Sequence, residues 1–151
     1  MAYGFNTGQD CTIDLVDSNG VAYSFSTIGG DLLHFEADWD LDVIRRRPIS
    51  GKGLVKRRID FKGTKGTIEI GRVNADFERI MIAAQDRYRN GQDPVTYTIH
   101  QLVQNRDNTG TQSAFRFTNC TIWISKGASY TMGEDVKLTI EFEGDDVKQD
   151  R

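Results

Sequence analysis

The chain has little of the chemistry that announces an enzyme, a metal site or a membrane span. Its 151 residues include two cysteines and two histidines. Cys11 and Cys120 form no CxxC pair and stand at no spacing that suits zinc. They would allow one disulfide. Both fall in alternating apolar segments, and the expectation is buried free thiols, since free cysteine packs as a small hydrophobe. His34 and His100 each fall on a predicted strand, and no nucleophile elbow accompanies either. The stretch SGKGLVK, residues 50–56, lacks the GxxxxGK[ST] spacing of a phosphate loop. No apolar run approaches the roughly 20 residues of a membrane span. The start, MAYGFNTGQDC, has neither the basic nor the apolar region of a secretory signal, so none is expected. The net charge of −3 names no partner. No catalytic residue, cofactor or resident metal is expected, and the protein reads as a non-enzyme.

What the chain does have is strands. Residues 11–16 and 21–26 flank the turn residues Asp17-Ser-Asn-Gly20 and read as a hairpin. Residues 54–61, 66–71, 95–103, 114–125 and 135–143 are further strand candidates. The alternation in residues 114–125 shifts at Thr118-Asn119, which predicts a bulge or corner. Only residues 74–90 have helical periodicity. There Phe77, Ile80, Met81, Ala84 and Tyr88 form one apolar stripe. Asn74 is a candidate cap, Gly91 a candidate C-terminal stop, and Asp93-Pro94 blocks continuation. The expected fold is mainly β within the α+β class. It is an antiparallel β-sandwich or barrel with one flanking helix, folded as a single domain over residues 1–151. Residues 1–10 read as an N-terminal arm, and 144–151 as a charged, frayed tail.

The most ordered alternation runs over residues 31–43. Leu33, Phe35, Ala37, Trp39, Leu41 and Val43 fall on one face. His34, Glu36, Asp38, Asp40 and Asp42 fall on the other. The acidic face cannot be dry, because adjacent like charges repel and desolvation is costly. Calcium is a poor fit. Same-face carboxylates on a strand stand about 7 Å apart, whereas calcium loops use turns and backbone carbonyls. The row reads as a solvated strand face or as an acidic wall past which a polyanion slides.

The sign of the charge then flips. Arg45, Arg46, Arg47, Lys52, Lys56, Arg57, Arg58, Lys62 and Lys65 crowd into residues 45–65. The expectation is a long projecting hairpin over about 40–62, with a basic loop at 44–62. Such a projection is uncommon in a compact domain unless it has a task. Nucleic-acid binding is one reading. However, residues 44–60 contain no aromatic side chain on which bases could stack. The other reading is contact with an acidic surface of a second copy. Patch-to-different-patch contacts of that kind make rings or filaments.

The order of features resembles the tail tube proteins of contractile-tailed bacteriophages, relatives of the type VI secretion tube protein. The resemblance spans about residues 11–146. It is carried by the acidic-apolar strand, the basic loop RRRPISGKGLVKRR, the strand KGTIEIGR, the helix NADFERIMIAAQDRYRNGQ, and a final DVKLTIEFEG that runs into GDD. It implies homohexameric rings that stack into a hollow tube conducting DNA during ejection. A tape-measure protein would lie in the lumen, a sheath protein outside, and baseplate and tail-terminator proteins at the ends. The implied location is the virion tail, assembled in the host cytoplasm with no membrane partner. Under the resemblance, Glu36, Asp38, Asp40 and Asp42 become a candidate lumen lining or, alternatively, a surface that meets the basic loop of the next ring. Arg45, Arg46, Arg47, Lys52, Lys56, Arg57 and Arg58 become a candidate contact between rings or subunits. A baseplate or tube-terminator component of the same superfamily is the runner-up, and a small nucleic-acid-binding protein comes after it.

Overall fold

A computed structural model describes residues 11–20, 22–24, 30–72, 75–105 and 110–150. The expected arm, residues 1–10, and the candidate cap Asn74 lie outside these. Eight strands and one helix follow in order: β1 Cys11–Asp17, β2 Ala22–Ser24, β3 Gly30–Arg46, β4 Lys56–Arg72, α1 Asp76–Arg89, β5 Tyr97–Gln104, β6 Gln112–Lys126, β7 Lys137–Gly144 and β8 Asp146–Gln149. All pairings are antiparallel, and the order across the sheet is β2-β1-β5-β6-β7-β4-β3, with β8 also on β6. Mainly β with a single helix is therefore the fold, and the sheet curls into a half-barrel.

The curl is made in β6. Its first part pairs with β5 and β8, and its second part pairs with β7. The switch falls at Asn119, which has φ 51, a left-handed conformation that asparagine tolerates better than most residues. This is the corner expected from the break in alternation at Thr118-Asn119. Folding the sheet there brings Ile13, Leu15 and Ile99 over Ile68, Ile70, Leu138, Ile140 and Phe142, all nearly or wholly buried. Each such side chain contributes about 1.5–3 kcal/mol on burial. Phe35, Phe117 and Phe142 join across the fold with ring centroids 5.8–6.0 Å apart. That spacing adds edge and stacking attraction to the area term.

Cys120 and Cys11 are free, as expected, though only Cys120 is fully buried. Burial, with a smaller push from the Asp145 carboxylate, raises the Cys120 thiol pKa to about 12.

Several expectations need correction. Residues 54–61 and 66–71 are not separate strands. They are halves of one 17-residue strand, β4, joined through an irregularity opposite Asp40/Leu41. The backbone can bend there because Gly63 adopts φ 131. The basic segment is not a loop over 44–62. β3 runs to Arg46 and β4 begins at Lys56, so only 47–55 is turn, including a 3-10 turn at Ile49–Gly51. A register shift between Leu32 and His34 takes Leu33 out of the alternation. Leu32 packs on the core in its place, and Leu33 is exposed.

The helix is shorter than expected and docks only by its start. Phe77 is buried and Ile80 packs beside the core, but Tyr88 is 85% exposed. Gly91, at φ 68, closes the helix, with Gln92 N–H donating to Arg87 C=O. The C-terminal segment is not wholly frayed, because Asp146–Gln149 pairs with β6.

Candidate assembly surfaces

β3, β4, β7 and the second part of β6 form a four-stranded sheet with two unlike faces. The apolar face belongs to the core. The polar face is read directly from the register: Glu36 lies beside Thr67, then Glu141, then Trp123, and Asp38 lies beside Lys65, then Glu143, then Thr121. Glu36, Asp38, Glu141, Glu143, Lys65 and Trp123 share a shallow depression of about 220 Å³. The predicted row thus continues onto a second acidic row, Glu141 and Glu143 on β7. The alternation in DVKLTIEFE put those carboxylates outward. Only the pairing of β7 with β4 shows that they face the same way as Glu36 and Asp38.

The four predicted acids do not have equal surroundings. Asp42 accepts an ion pair from Lys62 at 2.7 Å, and Asp40 one from Lys65 at 3.9 Å. The Asp42 carboxylate raises the pKa of Lys62. Glu36 stands 3.5 Å from His34, and Asp38 belongs to the shared depression. All of these ion-pair side chains are at least 42% exposed, so the pairs bias conformation more than they stabilise it. Among the described residues, no group of three His, Cys, Asp or Glu stands close enough for a metal ion. His100 is on the other half of the sheet, opposite Asp14 and Arg116. The two histidines therefore belong to no common site.

The predicted basic residues collect at the far end of the β3–β4 hairpin. Arg45 sits opposite Arg57, Arg46 opposite Lys56, and Arg58 opposite Ile44. Lys52 stands in the turn with φ 51, and Arg47 precedes it just past β3. Directly opposed like charges are destabilising. Among the described residues, none of the seven is in an ion pair.

The same hairpin exposes an apolar strip that continues the apolar face expected for residues 31–43. Trp39 is 61% exposed and Phe61 64%, and Leu41, Val43 and Ile59 are exposed beside them. Leu41 pairs with Phe61, and Val43 with Ile59. The strands outrun the rest of the sheet, because β7 reaches along β4 only as far as Thr64. Five large apolar side chains on one face of a projecting ribbon are a patch that calls for a partner.

Both edges of this four-stranded region also stand open among the described residues. β3 ends the strand order, so its outer edge is unpaired over 17 residues. In β6, pairing with β5 stops at Cys120, which leaves one edge of residues 121–126 unpaired. Long open edges invite pairing with another chain.

No protein family and no curated protein matches the sequence. Solved structures do resemble it. A chain of the extended-state sheath/tube terminator of an extracellular contractile injection system (PVC) superposes with TM-score 0.65 at 14% identity, over 100% of this chain and 99% of that one. A chain of the PVC sheath-tube complex gives TM-score 0.59 at 15% identity, over 91% and 87%. A chain of the six-fold symmetrised baseplate of the anti-feeding prophage gives 0.56 at 10% identity, over 99% and 97%. At these identities the shared property is the fold: the chain has the fold of tube-type components of contractile tails.

Proposed function

We propose that this protein is a structural component of a contractile tail, and that six copies form a ring which stacks into the inner tail tube. The observation that carries this reading is the four-stranded sheet, polar on one face, apolar on the other and open at both edges. Strand directions alternate across β3, β4, β7 and β6. A second copy's β3 laid against the free edge of β6 therefore continues the antiparallel pattern. Repeating the step with rotation closes a barrel and removes both of these open edges. The six-fold baseplate with the same fold supports a ring of six.

In such a barrel Glu36, Asp38, Asp40 and Asp42, joined by Glu141 and Glu143, line the lumen. Carboxylates repel phosphate, so DNA passes during ejection without sticking. Sheath protein outside, tape-measure protein inside, and baseplate and terminator proteins at the ends are the implied partners, in a virion tail assembled in the host cytoplasm. The chain then acts as one domain, with residues 1–10 an arm and no catalytic role.

A tube-terminator component is the second reading. It is favoured by the 0.65 superposition on a chain of a terminator structure. Electron microscopy of the concentrated protein separates the two. A tube protein gives rings that grow into tubes, whereas a terminator gives rings that stop. A strictly monomeric mass over a wide concentration range overturns both. Salt-dependent retention of DNA by that monomer would favour the nucleic-acid-binding reading instead.

A further inference from the structure

The hairpin tip lies at one end of β3 and β4. At the other end lies the loop 127–136. The last residue of β4, Arg72, donates its N–H to Val136 C=O, and its guanidinium stands 6.0 Å from the Tyr130 ring centroid. A 17-residue strand separates the two ends, about 50 Å at a rise near 3.3 Å per residue.

Both ends expose large apolar side chains. At the tip, Ile49 is fully exposed and Leu54 largely so, leading back to Val43 and Ile59. At the opposite end, Met132 is fully exposed (101%) and Tyr130 is 69% exposed. Met132 stands on a tight turn, held by Glu134 N–H donating to Thr131 C=O and by Gly133 at φ 82. The tip is basic, whereas the loop at the other end carries acids between the flanking Lys126 and Lys137. The tip opposes Arg45 to Arg57 and Arg46 to Lys56 with no acid interposed. The 127–136 loop carries Glu134 and Asp135 as its only charged side chains.

We infer that the hairpin end of one copy seats against the 127–136 loop of a second copy, head to tail. The flexible thioether of Met132 and the ring of Tyr130 cover the hairpin's exposed apolar side chains. Glu134 and Asp135 meet the basic tip. An apolar centre with charged surroundings fits a contact made once and kept, and acids there relieve the like-charge repulsion within the tip. The contact is heterologous, so it propagates along an axis. This inference rests on the stacked-ring reading and names the surfaces that would stack.

The test uses the full chain and two kinds of variant. Tyr130→Ser with Met132→Ser changes only exposed side chains, and an unchanged denaturation midpoint confirms folding. Rings are expected to persist, while the concentration needed for tubes rises about tenfold or more, the effect of losing one large buried apolar contact. In the second arm, Met132→Cys is combined in turn with Ile49→Cys, Leu54→Cys or Ile59→Cys in a Cys11→Ser background. Under oxidation, at least one pair is expected to give a ladder of covalent multimers on a non-reducing gel. Tubes that form at the parent's concentration in the serine variant, with no ladder from any pair, overturn the inference and leave the ring reading intact. A parent that forms neither rings nor tubes overturns both.

Discussion

The two halves of the β3–β4 hairpin obey one pattern and meet opposite fates. In the near half, Phe35 and Ala37 alternate with Glu36 and Asp38, and their apolar partners on β4, Ile68 and Gly66, lie against β7 and the core. In the far half, Leu41 and Val43 alternate with Asp40 and Asp42 in the same way, but none of the described residues covers Phe61 and Ile59 beside them. Alternation says which side of a ribbon is apolar. It does not say whose atoms will cover that side. A strand that outruns its own core leaves its apolar face open, and such a patch calls for a partner.

The comparison breaks most visibly in the near half. Phe142→Ala removes the ring that packs on Phe35 and Phe117 and should cost about 3–5 kcal/mol, read by chemical denaturation. Phe61→Ala in the far half should change monomer stability by only about 0.5 kcal/mol or less, while abolishing assembly. If Phe61→Ala destabilises the isolated chain as much as Phe142→Ala does, the far half is not an interface.

A smaller effect is expected at Gly66. A Cβ there would meet Glu36 C=O and the Phe142 ring, so Gly66→Ala should cost about 1–3 kcal/mol through overpacking. Gly53→Ala, whose Cβ meets no atom, should cost less than Gly66→Ala despite its left-handed φ of 82. Equal losses would mean that the near half is not tightly packed.

Charge reversal at Arg45, Arg46 and Arg47 should leave the denaturation midpoint nearly unchanged and block stacking at physiological salt. A variant that polymerises like its parent would show that the basic tip is not in the contact.

The smallest effect concerns pH. The folded Cys120 thiol, with its pKa raised from 9.0 to about 12, holds its proton more tightly than the unfolded chain does. The stabilisation is whole below pH 9 and is lost as pH rises toward 12. Cys120→Ala should lower stability overall and flatten that alkaline slope. An unchanged slope would assign it to tyrosines and lysines instead.

Much of this was legible in the amino acids. The mainly β fold, the β1–β2 hairpin, the corner at Asn119, the docking of Phe77 and the outward acids all follow from side-chain period and turn chemistry, which are local properties. The split of β4 into two strands was a misreading, because glycines and lysines at 62–66 look like a loop until a pairing partner holds them extended. The row of four acids was legible, but Glu141 and Glu143 beside it were not, since strand neighbours 100 residues apart leave no local signal. Trp39, Leu41 and Val43 were legible as one apolar face, but their exposure beside Ile59 and Phe61 was not: burial depends on which strands come alongside and how far they reach. Local chemistry determined which side of each strand is apolar. Only the tertiary structure decided that the pairing of β7 with β4 stops at Thr64, and with it that the apolar face beyond stands exposed among the described residues.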